Sequence, residues 1–410
     1  MAIDVVTGAF GYSGAAIARD LLAAGRRVRT LTSHPRDDRD IEALPLDFTD
    51  ADGLARSLDG ADTLYNTYWV RFSHGANTQD RAVANSRVLF EAAKRAGVQR
   101  IVHVSITHAA ADSPYPYFRG KAEIERQLAS TGIPYAILRP AILFGGDGVL
   151  LNNIAWLLRR LPVFAIGGGG AYRIRPIHVD DLAGLATGAW TGDVTVDAVG
   201  PQSLAFRDMV TAIRAAVGSR AVLLPVPGRL VPPLSAVLGT VLRDVLLTAE
   251  EYQAMAAGMA DSDAPSTGQT VLTDWIAAHG ADLGRRYANE LSRHFRLSSA
   301  TRSLTILGYE AGTDRSPVVR PGRGGLRGWT IGSPTGSSAG MSLTAAARHC
   351  SPGTGSTSWA VRAASGWSGT RPFSHRDRPP PGEATVVLVS KIRHFRHFAR
   401  EKRHSLPKQL

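Results

Sequence analysis

Between residues 3 and 140 short apolar runs recur, separated by stretches in which apolar residues return every three or four positions. The runs are "IDVVTGA", "RRVRTLT", "ADTLYNTY", "QRIVHVSI" and "PYAILRP". Between them stand "GAAIARDLLAAG", "DADGLARSLDG", "RAVANSRVLFEAAKRAG" and "KAEIERQLASTG". Strands that lack polar alternation, alternating with helices, predict a parallel sheet covered on both faces. The expected class is therefore α/β, a doubly wound parallel sheet of Rossmann type. Within it "AAGRRV", "AGVQR" and "STGIPY" repeat one device, a glycine that ends a helix just before the next strand.

This alternation predicts one Rossmann-type domain at residues 1–200. A smaller α-rich substrate lid is expected at 201–296, from "LAFRDMVTAIRAAVG" to "RRYANELSRHF". From Leu297 the text turns to Gly, Ser, Thr, Arg and Pro without period, a composition that buries too little apolar surface to offset chain entropy, so residues 297–410 are expected to be a disordered tail. Of 47 Lys+Arg and 35 Asp+Glu, that tail holds 17 and 5, leaving 30 of each sign in residues 1–296. The formal charge of +12 thus describes the tail, and the neutral body gives no reason to expect nucleic acid as its partner. In the tail only "VVLVSKIRHFRHFAREKRH" interleaves basic residues with Phe and His, a pattern compatible with nucleic acid or anionic lipid. The run from Leu230 to Leu247 contains two prolines, Arg243 and Asp244, and reads as an amphipathic or capping helix, so no membrane span is expected. "MAIDVVTGAF" enters a strand directly with an early acid, which does not fit an export signal. The single cysteine, Cys350, lies in the tail, so the expected compartment is a reducing cytoplasm, and no metal site is expected.

The chemistry begins in "VVTGAFGYSG". Gly8, Gly11 and Gly14 follow a strand and open a helix at the spacing G-x-x-G-x-x-G. Such a turn lets backbone approach a pyrophosphate while the helix N-terminus offers unpaired N–H groups and a positive dipole end. An acid about 20 residues further on would take the ribose 2′-hydroxyl of NAD. Here "TLTSHPRDDRD" puts Thr32, Ser33, His34 and Arg36 ahead of the first acid, Asp37. Hydroxyl plus guanidinium at Ser33 and Arg36 suits a 2′-phosphate, so NADP is expected over NAD. "LPLDFTD" places Asp47 and Phe48 after the third strand, where an acid can accept from the adenine amino group and a ring can flank it; Thr49 and Asp50 equally suit a helix N-cap. "GGGG", Gly167 to Gly170, reads as a strand-joining turn.

The ordered set "TGAFGYSG", "LDFTD", "VHVSIT", "YFRGK", "LRPAILFG" and "RPIHVDDLA" resembles the extended and atypical, epimerase-like branch of the short-chain dehydrogenase/reductase superfamily. Within that branch it is similar to the NAD(P)H-binding proteins of the NmrA-like and complex I accessory-subunit group, over residues 2 to about 295. The resemblance implies that Ser105 and Thr107 end the central strand facing the nicotinamide and that Arg139 and Pro140 end the next. Phe10, in the glycine turn, and Asn66, at the end of the fourth strand, complete the expected cofactor contacts. His178, Asp180 and Asp181 would lie in a later connection that closes the pocket. Where extended members start the preceding helix with an Asn, this chain has Ala82, with Asn85 close by.

Residue chemistry points the same way. Tyr117 and Lys121 are one helical turn apart, so an ammonium can draw the phenol down toward a value suited to proton transfer. Lys121 could also hold ribose hydroxyls while Ser105 polarises a substrate carbonyl. The expected function is an NAD(P)-dependent oxidoreductase or epimerase acting on a small carbonyl or hydroxyl compound, a homodimer being compatible with it. The alternative is a non-catalytic NAD(P)H-binding redox sensor or complex-stabilising protein.

Overall fold

The computed structural model describes residues 3–291. The expected tail and Cys350 lie outside the described residues. The chain begins β1 (Ile3–Thr7), α1 (Tyr12–Ala23), β2 (Arg27–Thr32), β3 (Ile41–Pro45), α2 (Ala51–Leu58) and β4 (Ala61–Asn66). It continues α3 (Gln79–Arg95), β5 (Arg100–Val104), α4 (Pro116–Ala129) and β6 (Tyr135–Pro140). Then come β7 (Leu143–Phe144), α5 (Val149–Arg160), β8 (Val163–Gly167), β9 (Arg173–Ile174), β10 (Ile177–His178) and α6 (Val179–Ala186). The last elements are β11 (Val194–Ala198), β12 (Leu204–Ala205), α7 (Phe206–Ala216), β13 (Val222–Val226), α8 (Val231–Leu242), α9 (Ala249–Ala256) and α10 (Leu272–His279).

Seven strands form one parallel sheet in the order β11-β6-β5-β4-β1-β2-β3. The order reverses between β1 and β4, and the crevice outside the C-terminal ends at such a switch point is where doubly wound sheets bind ligands. Two apolar clusters flank the sheet. One joins Val5, Leu64 and Ile101 to Leu89 and Phe90 of α3 and Ile124 and Leu128 of α4. The other joins Val6, Tyr65 and Val102 to Ile17 and Leu21 of α1 and Leu182 of α6. Burial on both faces explains why these strands read as unbroken apolar runs. Leu64 and Ile101 are fully buried, and truncating either to Ala would cost about 2–5 kcal/mol.

A third cluster unites Leu151, Ile154 and Leu158 of α5 with Met209, Val210 and Ile213 of α7, Leu272 and Ile276 of α10, and Ile166 of β8. The smaller part of the fold thus draws on residues 144–174 as well as on those after 200. β8 ends at Gly167, and Gly168 to Gly170 form a single 3-10 turn leading to β9, the strand-joining role read from "GGGG".

Candidate functional site

Gly8 lies at φ +68 and donates its N–H to the Leu31 carbonyl at 2.9 Å, turning the chain off β1. Its own carbonyl accepts from the Gly11 N–H at 2.8 Å. A Cβ at Gly14 would overlap the Gly8 carbonyl oxygen, so only glycine lets α1 start this close to β1. Gly11 is the N-cap of α1 and, lacking a side chain, leaves the first N–H groups of the helix without a side-chain acceptor. This is the arrangement that accepts a phosphate. Tyr12 steadies the helix start by donating to the Gly145 carbonyl at 2.8 Å.

Phe10 and Arg36 meet, with the guanidinium 5.7 Å from the ring centroid, which brings the exposed Arg36 side chain beside the glycine turn. Among the described residues Arg36 has no ionic partner. Ser33 Oγ lies 3.0 Å from His34 Nδ1. After β3, Asp47 Oδ1 accepts from the Thr49 N–H and hydroxyl at 2.9 and 2.7 Å, which hold its carboxyl below the usual range. Asp50 caps α2 through Gly53 N. Phe48 packs on Tyr68, ring centroids 4.7 Å apart, and Asn85 donates to the Tyr68 hydroxyl at 2.8 Å. Ala82, in place of the extended members' Asn, is fully buried, and Asn85 faces the post-β4 segment instead.

Asn66 is fully buried, and its amide works inside the fold. Oδ1 accepts from Thr7 Oγ1 and Tyr68 N at 3.2 and 3.1 Å, while Nδ2 lies 3.1 Å from His103 Nδ1. The structure therefore places Asn66 beneath the site as a brace between β1, β4 and β5. Pro140 is buried at the end of β6 and its carbonyl accepts from Thr107 N.

Ser105 and Lys121 also find internal partners. Ser105 Oγ donates its one proton to Glu125 at 2.5 Å. Glu125 in turn forms a two-point pair with Arg139, which joins β5, α4 and β6. In this geometry Ser105 has no proton for a substrate carbonyl, contrary to the expectation. Lys121 is 2% exposed, donates to the Val104 carbonyl at 2.9 Å and lies 4.7 Å from the Trp69 ring centroid. Burial lowers its pKa to about 7, opposed only in part by Glu125. Beneath it, burial and then Lys121 keep the fully buried His103 well below its ordinary value.

Tyr117 packs edge-on against Trp69 at 5.4 Å, and its backbone N–H donates to Glu250 of α9 at 3.1 Å. Burial and the Glu251 carboxylate push its phenol above the usual value, against the weaker pull of Arg71 and Trp69. The expectation that Lys121 draws the phenol down is not met, because the ammonium is turned to Val104 and Trp69. Arg71 pairs with Glu251 at 2.6 Å and Glu290 at 3.3 Å, fastening the later residues over Tyr117. His178 caps α6, with its Nδ1 accepting from Asp180 N at 3.2 Å, and burial lowers its pKa. Asp181 accepts from Gln269 N and Thr270 N and so holds the 268–270 loop. Thr107 and His108 contact the Met259 and Asp261 carbonyls at 3.0 and 2.7 Å. Sequence reasoning passed over Tyr68, Trp69, Arg71 and Glu125; the aromatic string "YWVRF" directly after β4 is the signal that would have found the first three.

Residues 8–152 match the NAD(P)H-binding family. Sterol demethylase protein B of Methylococcus capsulatus is 30% identical over 34% of this chain and 51% of its own length. The mitochondrial NADH-ubiquinone oxidoreductase 40 kDa subunit of Neurospora crassa is 23% identical over 51% of this chain and 56% of its own length. The chain thus spans about half the length of these curated relatives. Among solved structures, the Citrobacter sp. triphenylmethane reductase complexed with NADP(H) superposes with a TM-score of 0.55 at 20% identity, covering 68% of this chain and 100% of that one. The NADPH-dependent quinone oxidoreductase of Escherichia coli complexed with NADPH gives 0.56 at 20% identity, covering 67% and 99%. Their likeness is one of fold. With the glycine turn, the family match and the sheet order agreeing, residues 8–152 carry an NAD(P)H-binding domain on a doubly wound parallel sheet, in line with the resemblance to the extended, epimerase-like branch of the short-chain dehydrogenase/reductase superfamily.

Proposed function

We propose that the chain is an NADP(H)-dependent reductase of a small carbonyl compound. The observation that carries this reading is the Gly8–Gly14 turn, whose close packing and uncapped helix fit a pyrophosphate, with Arg36 stacked on Phe10 beside it. Gly8, Gly11 and Gly14 would hold the phosphates, Ser33 and Arg36 a 2′-phosphate, and Phe48 the adenine edge. When bound, the nicotinamide supplies hydride to the substrate carbon.

Tyr117 is the proton donor in this reading. Burial favours its uncharged form, so near neutrality it holds its proton, which suits an acid in reduction better than a base in oxidation. A raised phenol is a weak acid, but an alkoxide on the substrate oxygen is a stronger base still. Trp69, itself covered by Lys121, packs against the ring, and substrate reaches the hydroxyl when α9 shifts from its Glu250 contact. The Ser105–Glu125–Arg139 chain keeps the ends of β5 and β6 in place. The relatives that bear names of NADPH-dependent reductases support this reading by fold.

A second reading, an NAD(P)H-binding module without turnover, draws support from the Ser105 proton bound to Glu125 and from α9 over Tyr117. The experiment is NADPH oxidation by the full chain with a panel of aldehydes, ketones and quinones, followed by nicotinamide absorbance, for the parent and Tyr117→Phe. The expected result is turnover by the parent that falls roughly 10²-fold in the variant with NADPH affinity kept. Turnover that survives Tyr117→Phe moves the donor elsewhere, with Tyr115, His108 and His178 next. NADPH binding without oxidation of any acceptor supports the module.

A further inference from the structure

β8 and β13 pair in parallel away from the main sheet, with Val222 opposite Val163 and Leu224 opposite Ala165. Their alternate residues, Phe164, Ile166 and Leu223, pack into the third apolar cluster. The outward residues are apolar as well, which is unusual for a two-stranded ribbon with one face already packed. Val222 is 59% exposed, and Val163 and Leu224 each more than two-fifths. α8 adjoins this ribbon, its Val231 standing against Gly167 at the end of β8. The helix "VPPLSAVLGTVL" carries no charge, and of its twelve residues only Gly239 is buried. Val237 on it is 52% exposed, and Leu230 just before it 44%. Among the described residues the exposed large hydrophobic side chains all belong to these elements.

The charges within the segments that build them are of one sign. Residues 159–173 and 217–243, which supply the ribbon and the helix, contain Arg159, Arg160, Arg173, Arg220, Arg229 and Arg243 and no Asp, Glu or Lys. Asp244, next in the chain, is buried and accepts from the Tyr287 hydroxyl and the Glu290 and Leu291 N–H groups. Glu250 and Glu251 of α9 are turned to Tyr117 and Arg71. Arg173 pairs with Asp261 at 3.4 Å and Arg159 and Arg160 donate to backbone carbonyls, but Arg220, Arg229 and Arg243 have no ionic partner among the described residues. An apolar face bordered by such arginines is complementary to one kind of surface, an apolar layer beneath anionic headgroups.

We infer that the outer face of β8, β13 and α8 docks on an anionic lipid bilayer. Val163, Val222, Leu224 and Val237 enter the boundary between headgroups and acyl chains while Arg220, Arg229 and Arg243 pair with lipid phosphates, for which the planar guanidinium is suited. The protein would lie on the membrane rather than cross it; no described helix is long and apolar enough to span one. This inference does not depend on the reading of the dinucleotide site.

The test is co-sedimentation of the full chain with phosphatidylcholine vesicles, with and without phosphatidylglycerol, for the parent, the Val222→Glu/Leu224→Glu pair and Val237→Glu. These positions face solvent, so melting temperature and NADPH affinity should stay at parent values. The expected result is parent binding to the anionic vesicles that weakens roughly tenfold or more in both variants, since each places a carboxylate where an apolar side chain should insert. Variants that bind as the parent does would overturn the inference and assign lipid binding to residues 297–410. A parent that ignores the vesicles, or one whose light scattering shows a dimer that the same variants dissociate, would overturn it as well, the latter in favour of a second copy.

Discussion

Lys121 holds an ammonium where water does not reach, donating one proton to the Val104 carbonyl and covering Trp69. Its pKa of about 7 lies below the ordinary lysine value of 10.5, so the folded state disfavours the charged form. Below about pH 7 folded and unfolded chains both carry the proton, and the cost of burying it is present in full. Between about 7 and 10.5 only the unfolded chain carries it, so stability rises with pH through that window. Lys121→Met removes this dependence. Its melting temperature should gain on the parent most below pH 7, and the gain should shrink as pH approaches 10.5; parallel profiles would show that the ammonium is not desolvated. "YFRGK" made the shared helix face of Tyr117 and Lys121 legible, because a spacing of four is a local fact. What each group touches was not legible. Val104, Trp69 and Glu251 reach these side chains only through the packing of distant segments, and Ser105 meets Glu125 across 20 residues.

At the scale of elements, the junction of β1 and α1 is the strictest. Gly14→Ala sets a methyl against the Gly8 carbonyl, so the helix must move away from the strand and the phosphate cradle opens. Loss of NADPH binding, with a lowered melting temperature, is the expected result in a fluorescence titration; parent-like binding would show that the turn does not carry the phosphates. This junction was readable because glycine spacing reports backbone geometry directly. The fastening of α9 was not, since Arg71 and Glu251 are 180 residues apart and neither lies in a motif. With both side chains partly exposed, Glu251→Gln should cost about 1–3 kcal/mol, leaving Glu290 to hold Arg71. The same change should free Tyr117 from the carboxylate that raises it, so faster proteolysis near α9 and a lower phenol pKa are expected together. Neither would move if α9 were held by its apolar contacts alone.

For the molecule as a whole, the alternation of strands and helices was enough to give sheet, layers and ligand edge, since both faces of a parallel sheet leave their mark on every strand. The small part of the fold was less legible, because β7, β9, β10 and β12 have two residues each, too few to show a period. The alternation of strands and helices and the balance of charge both end before Leu297, so a chain ending at Arg296 should melt within a few degrees of the full chain and bind NADPH equally well. A large drop on truncation would show that the remainder packs on the body. The most direct measurement of the central claim is a calorimetric titration of the full chain with NADPH and with NADH, repeated for Arg36→Ala. NADPH should bind at least several-fold tighter than NADH and lose that advantage in the variant, as a charge-assisted pair worth about 1.5–3 kcal/mol requires. No heat with either dinucleotide, or an NADPH preference untouched by Arg36→Ala, would contradict it.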